Sequence, residues 1–128
     1  MNMKKKIERF EDLEVWNLAM ELSASVYEMT NDGKISKDFG LRDQIRRSSI
    51  SVPSNIAEGF ERDSHNQFIY FLNVAKASCG ELRTQVKLAN KLGYIENKKS
   101  EKLVNECIMV SSQLKGFINY LKSFKGKK

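Results

Sequence analysis

A chain of 128 residues with 41% apolar and 30% charged side chains is the size of one domain with one core, and too apolar for disorder. One proline and seven glycines exclude a turn-rich all-β domain and favour long helices of Leu, Lys, Glu and Ala. The 22 basic and 16 acidic side chains leave a net charge of +6, a balance that attracts polyanions.

Four helices follow in chain order. The first is expected from about Asp12 to Thr30, with Leu13, Trp16, Met20, Ser23, Tyr27 and Thr30 at helical spacing and Val15, Leu22 and Val26 widening the stripe. Asn31-Asp32-Gly33 is a stop and turn signal. The second is expected from about Lys37 to Phe60, with Leu41, Ile45, Ser48, Val52, Ile56 and Phe60 facing inward. Pro53 lies inside that pattern, and the phase continues on both sides, so a kink and not a break is predicted. Ser48, Ser49, Ser51 and Ser54 are placed to satisfy freed backbone groups locally, and Gly59 to help end the helix.

The third helix runs from about Ser64, with Asp63 or Ser64 as its cap, to Leu92, and Gly93 ends it. The fourth runs from about Asn97, capped by Asn97 or Ser100, to Phe124; Leu103, Cys107, Val110, Leu114, Phe117, Leu121 and Phe124 form its stripe. Long helices on short loops imply antiparallel neighbours. The expected fold is all-α: one antiparallel up-down four-helix bundle over residues 1–128, kinked at Pro53, with flexible ends at 1–9 and 125–128.

Helix 3 is apolar on two sides. Phe68, Phe71, Ala75, Cys79, Leu82, Val86 and Ala89 form one broad face; Tyr70, Val74, Ala77, Leu88 and Leu92 form another, more than a right angle away. One core needs one stripe, so the second face is a candidate subunit interface, against the alternative of scattered surface apolar residues. Lys76, Arg83, Lys87 and Lys91 share one sector between these faces, and helix 2 carries Arg42 and Arg46 one turn apart with Arg47 beside them. These seven are the candidate phosphate-binding residues, since guanidinium and ammonium groups suit phosphate oxygens. The competing reading is a solvated lysine face, with Arg42 or Arg46 paired to Glu58, Glu81 or an acid of helix 1.

The charge is unevenly spread: residues 1–40 carry 6 basic and 8 acidic groups, whereas residues 98–128 carry 8 and 2. No apolar run follows Lys4-Lys5-Lys6, and no stretch approaches the roughly 20 apolar residues of a membrane span, so a cytoplasmic protein with no membrane contact is expected.

Enzymatic signatures are missing. Cys79 and Cys107 fall at apolar helical positions and read as buried free thiols, not as metal ligands. His65 is the only histidine and no Glu-x-x-His pair is present, so the di-iron bundle signature is absent. There is no Gly-rich phosphate loop. Arg62 and His65 resemble the Arg…His pair of helical RNA-cleaving domains of the HEPN type, at shorter spacing. Glu58 and Glu81 read as ion-pair partners before they read as an acid–base couple. The expectation is no enzyme, no cofactor and no metal.

Several segments together resemble one family. Phe10-Glu11-Asp12-Leu13-Glu14-Val15-Trp16 resembles its F-x-x-L-x-V-W opening, Leu41 to Ser49 its L-x-x-Q-i-r-R-a-s segment, and Ser51-Val52-Pro53-Ser54-Asn55-Ile56-Ala57-Glu58-Gly59 its S-I-P-S-N-I-A-E-G signature. Phe68 to Leu72 with Ala75, Glu81-Leu82 and Leu92-Gly93-Tyr94-Ile95 continue the match over about residues 7–120. Lys76-Ala77-Ser78-Cys79-Gly80 departs from the usual R-G-S-x-x-E. The family is the bacterial four helix bundle proteins, including those encoded within intervening sequences of large-subunit rRNA genes. The resemblance implies a barrel-shaped homopentamer without established enzymatic activity. It includes the accessory protein of diversity-generating retroelements, which uses a basic pentamer surface to engage nucleic acid and reverse transcriptase. A ring contact is heterologous and needs two different faces per subunit, which the two apolar sides of helix 3 supply.

Three functions compete on this reading. The first is a homo-oligomeric binding module for RNA or DNA. The second is a protein-interaction scaffold that docks a protein partner without touching nucleic acid. The third is a helical nuclease using Arg62 and His65.

Overall fold

The computed structural model describes residues 6–124; the expectations for 1–5 and 125–128 fall outside them. Within that span the chain is helical, with no strand among the described residues. Helix α1 spans Glu14–Met29, α2 Phe39–Phe60, α3 His65–Lys91 and α4 Asn97–Lys122. Short 3-10 turns at Phe10–Asp12 and Lys34–Lys37 lead into α1 and α2. Each helix packs against its two sequence neighbours, with α4 closing back on α1, and α3 makes its broadest contacts with α2 and α4. This is the expected four-helix bundle.

The helix ends follow local chemistry. Before α1, the Asp12 carboxylate accepts the Glu8 and Arg9 backbone N–H groups at 3.0 and 3.3 Å, which holds its pKa below the usual carboxylate range, and Phe10 packs on Trp16 at 5.3 Å between centroids. Gly33, at φ +76°, makes the reversal after α1 that a Cβ would oppose. Asp38 caps α2 by accepting the Leu41 N–H at 3.1 Å, and Ser64 caps α3 by accepting the Gln67 N–H at 3.2 Å. Gly93, at φ +80°, turns the chain after α3. Helix α4 departs from expectation: neither Asn97 nor Ser100 caps it. Asn97 accepts instead from the Asn90 amide at 2.8 Å, and Ser100 is buried.

The core is built from Val15, Ala19, Leu22 and Val26 of α1, Ile45, Val52 and Ile56 of α2, and the buried stripes of α3 and α4. At α1 the expected Leu13, Val15, Leu22, Val26 and Thr30 are buried, and the inward face departs from the expected one at Met20 and Tyr27. Met20 and Tyr27 are exposed, while Ala19, Leu22 and Val26 are buried. Both sets have helical period, and the aliphatic set packs without a hydroxyl to satisfy. In α3, Ile69, Leu72 and Ser78 join the buried face, with Phe68 and Phe71 at its half-buried edge.

Helix α2 runs through Pro53 without interruption. A proline at 53 leaves the carbonyl of Ser49 without its helical donor. The donor comes from another helix: Ser23 of α1 gives its hydroxyl proton to the Ser49 carbonyl at 2.8 Å. The serines near the proline were expected to do this locally; the Ser49 hydroxyl bonds the Arg46 carbonyl instead. Gly59 likewise has a different role from a terminator. A Cβ there would lie 2.8 Å from the Phe71 Cβ and 3.2 Å from the Phe68 carbonyl oxygen, so the glycine permits α2 and α3 to close together. Farther along the same seam, the Ser51 and Ser78 hydroxyls share a hydrogen bond at 2.9 Å.

Candidate nucleic-acid interface

The two basic groups read from the sequence have different surroundings. On α2, Arg42 is held from three sides. It pairs with Asp43 at 3.0 Å, donates to the Ser36 carbonyl at 3.2 Å, and lies 4.9 Å from the Phe39 ring centroid. Arg46 donates its Nε–H to the Thr30 hydroxyl oxygen at 2.7 Å and stacks over Tyr27 at 4.4 Å. Thr30 is fully buried and passes its own proton to the Val26 carbonyl at 2.8 Å. The intramolecular pairing anticipated for these arginines exists, with different partners: Glu58 binds Arg62 at 2.6 Å and not Arg42 or Arg46. Arg47 is exposed and forms no ion pair among the described residues. Arg46 and Arg47 line an open cleft of about 540 Å³ with Tyr27, Ser51, Ser54 and Asn55.

On α3, Arg83, Lys87 and Lys91 are exposed and Lys76 is half-buried; none forms an ion pair among the described residues. At about 100° per residue, all four lie roughly 140–180° around the axis from Ser78, the residue that meets α2. They therefore stand on the flank of α3 turned toward α4. The thiols agree with this placement. Burial pushes Cys79 up to about 11 and Cys107 of α4 up to about 12, and the Arg83 charge opposes the rise at both. Both cysteines are free and buried, as expected. On α2, Arg46 packs on Tyr27 and Thr30 at the end of α1 and Arg42 on Ser36 and Phe39 where α2 begins, so the structure does not bring the seven residues into one site. They form two separate groups on opposite sides of the α2–α3 seam.

The second apolar face of α3 is open in the single chain. Tyr70 is 61% exposed, Leu88 46% and Leu92 51%, with Ala77 exposed and Val74 half-buried beside them. At the far end of α3, the His65 Nε2–H donates to the Leu121 carbonyl at 2.7 Å. Arg62 is bound to Glu58 and lies 4.9 Å from the Phe71 ring centroid. Both side chains of the nuclease reading thus have structural partners. Among the described residues, no group of His, Cys, Asp or Glu is arranged to hold a metal ion, and no helix is long and apolar enough to cross a membrane.

One feature of the surface escaped the sequence reading. Lys34, Lys37, Asp38, Phe39 and Tyr94 line a cleft of about 510 Å³ at the end of the bundle, with Phe39 64% exposed. The signal was an aromatic residue directly after a capping aspartate, with Lys34 and Lys37 just before them; helical periodicity alone counts it as neither core nor interface.

Residues 11–116 match the 23S rRNA-intervening sequence protein family. The chain belongs to that family. A second likeness agrees with it. The crystal structure of a protein of unknown function from the S23 ribosomal protein family of Bacteroides thetaiotaomicron VPI-5482 is similar at a TM-score of 0.74 and 26% identity, over 81% of this chain and 97% of that one. No curated protein matches. The family assignment established by this match is the one the Pro53 signature and the Phe10–Trp16 opening implied.

Proposed function

We propose that this member of the 23S rRNA-intervening sequence protein family is a cytoplasmic, non-catalytic binding protein. It assembles with copies of itself through the outer face of α3 and holds RNA or DNA on the basic flank of the same helix. The observation that carries the reading is the contrast in charge use. Arg42, Arg46 and Arg62 are engaged with partners inside the chain, whereas Lys76, Arg83, Lys87 and Lys91 have no acidic partner among the described residues. Cations that the fold does not use are available to phosphates, and their attraction is sequence-independent and set by counterion release. Arg47, with no ion pair among the described residues, adds a cation on the α2 side.

Assembly is supported by Tyr70, Val74, Ala77, Leu88 and Leu92. They make one apolar surface, which a neighbouring copy would remove from water. A ring of five, the number that the family resemblance implies, would set this face against a different face of the next copy, because the other apolar side of α3 is taken up by the core. The mass in solution tests this: the wild type runs as an oligomer, and Tyr70→Glu with Leu88→Glu runs as a folded monomer. A monomeric wild type would end the assembly reading.

Binding is tested by titrating a labelled RNA oligonucleotide at several salt concentrations. Affinity is expected at low salt and falls steeply as salt rises. Replacing Lys76, Arg83 and Lys87 with Glu abolishes binding and leaves the assembly intact. Binding that is absent at low salt, or unchanged in the triple variant, contradicts the interface. Co-purification with a defined protein that survives nuclease treatment would support the scaffold reading in its place.

A further inference from the structure

We propose that the end of the bundle around Phe39 is a stacking platform for one unpaired base of a single-stranded nucleic acid, with Lys34 and Lys37 holding the adjoining phosphates. This rests on the nucleic-acid reading above and adds to it a preference for single strands and the place where that preference arises.

The geometry is specific. Phe39 begins α2 and is the most exposed large apolar side chain among the described residues, at 64%. The Arg42 guanidinium lies 4.9 Å from its ring centroid and is itself fixed by Asp43 and the Ser36 carbonyl, so the ring is supported and yet largely open. Its base is rigid. Asp38 accepts the Leu41 N–H at 3.1 Å with one carboxylate oxygen and the Tyr94 hydroxyl at 3.1 Å with the other. That second bond, followed by the Asp38 charge, raises the Tyr94 pKa and keeps the phenol a donor. The bond also ties the α3–α4 connection to the start of α2.

The charges nearby are disposed for an anion. Asp38 is occupied by its two donors and Asp43 by Arg42, while Lys34 and Lys37 form no ion pair among the described residues. Lys34, Lys37, Asp38, Phe39 and Tyr94 line the cleft of about 510 Å³. An exposed aromatic ring beside uncommitted cations and an open cleft is the arrangement that receives a splayed base and its backbone; a paired base has no free face to offer. A purely apolar partner would leave both lysines unmatched.

The test uses the full-length protein, an oligouridylate, and an RNA duplex of equal length at low salt. The single strand binds more tightly. Phe39→Ala weakens it about fivefold to 150-fold, leaving duplex affinity and solution mass unchanged and lowering the thermal midpoint only slightly through the lost Arg42 contact. Phe39→Leu weakens it similarly, and Phe39→Trp restores it, with indole emission quenched by the single strand and not by the duplex. Lys34→Glu with Lys37→Glu weakens the single strand further. If Phe39→Ala binds oligouridylate as the wild type does while salt-sensitive binding persists, the platform is wrong and the broader reading stands. If Phe39→Leu retains full affinity, the ring acts by packing and the platform is also wrong. A change in solution mass in Phe39→Ala makes the patch a subunit contact and overturns the proposal. If no oligonucleotide binds at low salt, the broader reading fails and the platform with it.

Discussion

The basic residues of α2 and those of α3 look alike in the sequence and differ in the structure. Arg42 and Arg46 are built into the joint between α1 and α2, through the Ser36 carbonyl and the buried Thr30 hydroxyl, and each packs over an aromatic ring. Lys76, Arg83, Lys87 and Lys91 touch no acid among the described residues and rim the α3–α4 side. Charge count alone therefore says little about binding. What matters is whether a cation's hydrogen-bonding capacity is already used within the chain.

The comparison can be broken by forcing the two groups out of register. Gly59→Val adds a branched side chain whose Cβ would lie 2.8 Å from that of Phe71, so the α2–α3 seam must open. A loss of about 3 kcal/mol is expected, less a small gain in helix propensity, read from the urea midpoint. An unchanged midpoint would show the seam to be loose. The next effect is sharper in meaning. Arg46→Ala removes a charged hydrogen bond and a cation–π contact and costs about 2 kcal/mol of stability, whereas Arg83→Ala stays within about 0.5 kcal/mol. Equal effects of the two would erase the distinction between them. Ser23→Ala leaves the Ser49 carbonyl without its donor and costs about 1 kcal/mol, because α1 supplies what Pro53 withholds. Smallest is the pH effect at the base of the platform. The Tyr94 pKa is raised in the fold, so its contribution to stability is complete below the ordinary tyrosine value and is lost as pH rises through the folded one. Tyr94→Phe should remove that alkaline dependence, seen in the thermal midpoint between neutral and strongly alkaline pH.

Most of the fold was legible because it rests on local signals. Gly33 and Gly93 mark the turns after α1 and α3, Ser64 caps α3, and the stripes of α2 and α4 face inward largely as their spacing requires. The errors arose where a distant part of the chain decides. In α1 the stripe through Leu22 and Val26 faces inward as its spacing requires, and only packing against the other helices selects Ala19 over Met20 and leaves Tyr27 outside. The donor for the Ser49 carbonyl lies 26 residues away in α1. Gly59 looked like a terminator because its need for space comes from Phe68 and Phe71 on another helix. The candidate site was legible as residue types but not as geometry. Helical phase placed Lys76, Arg83, Lys87 and Lys91 together, yet nothing in the sequence distinguished them from arginines already bound to Thr30 and Asp43. Phe39 was counted on neither face, since its exposure depends on where α2 begins relative to Asp38.

The most direct test of the division between structural and available cations is the salt dependence of single-strand RNA binding. The slope of log affinity against log salt should fall by about 0.7 for each cation removed in Arg83→Gln and Lys87→Gln, and stay near the wild-type value in Arg46→Gln. A slope that is unchanged in the α3 variants, or that falls only when Arg46 is replaced, would contradict it.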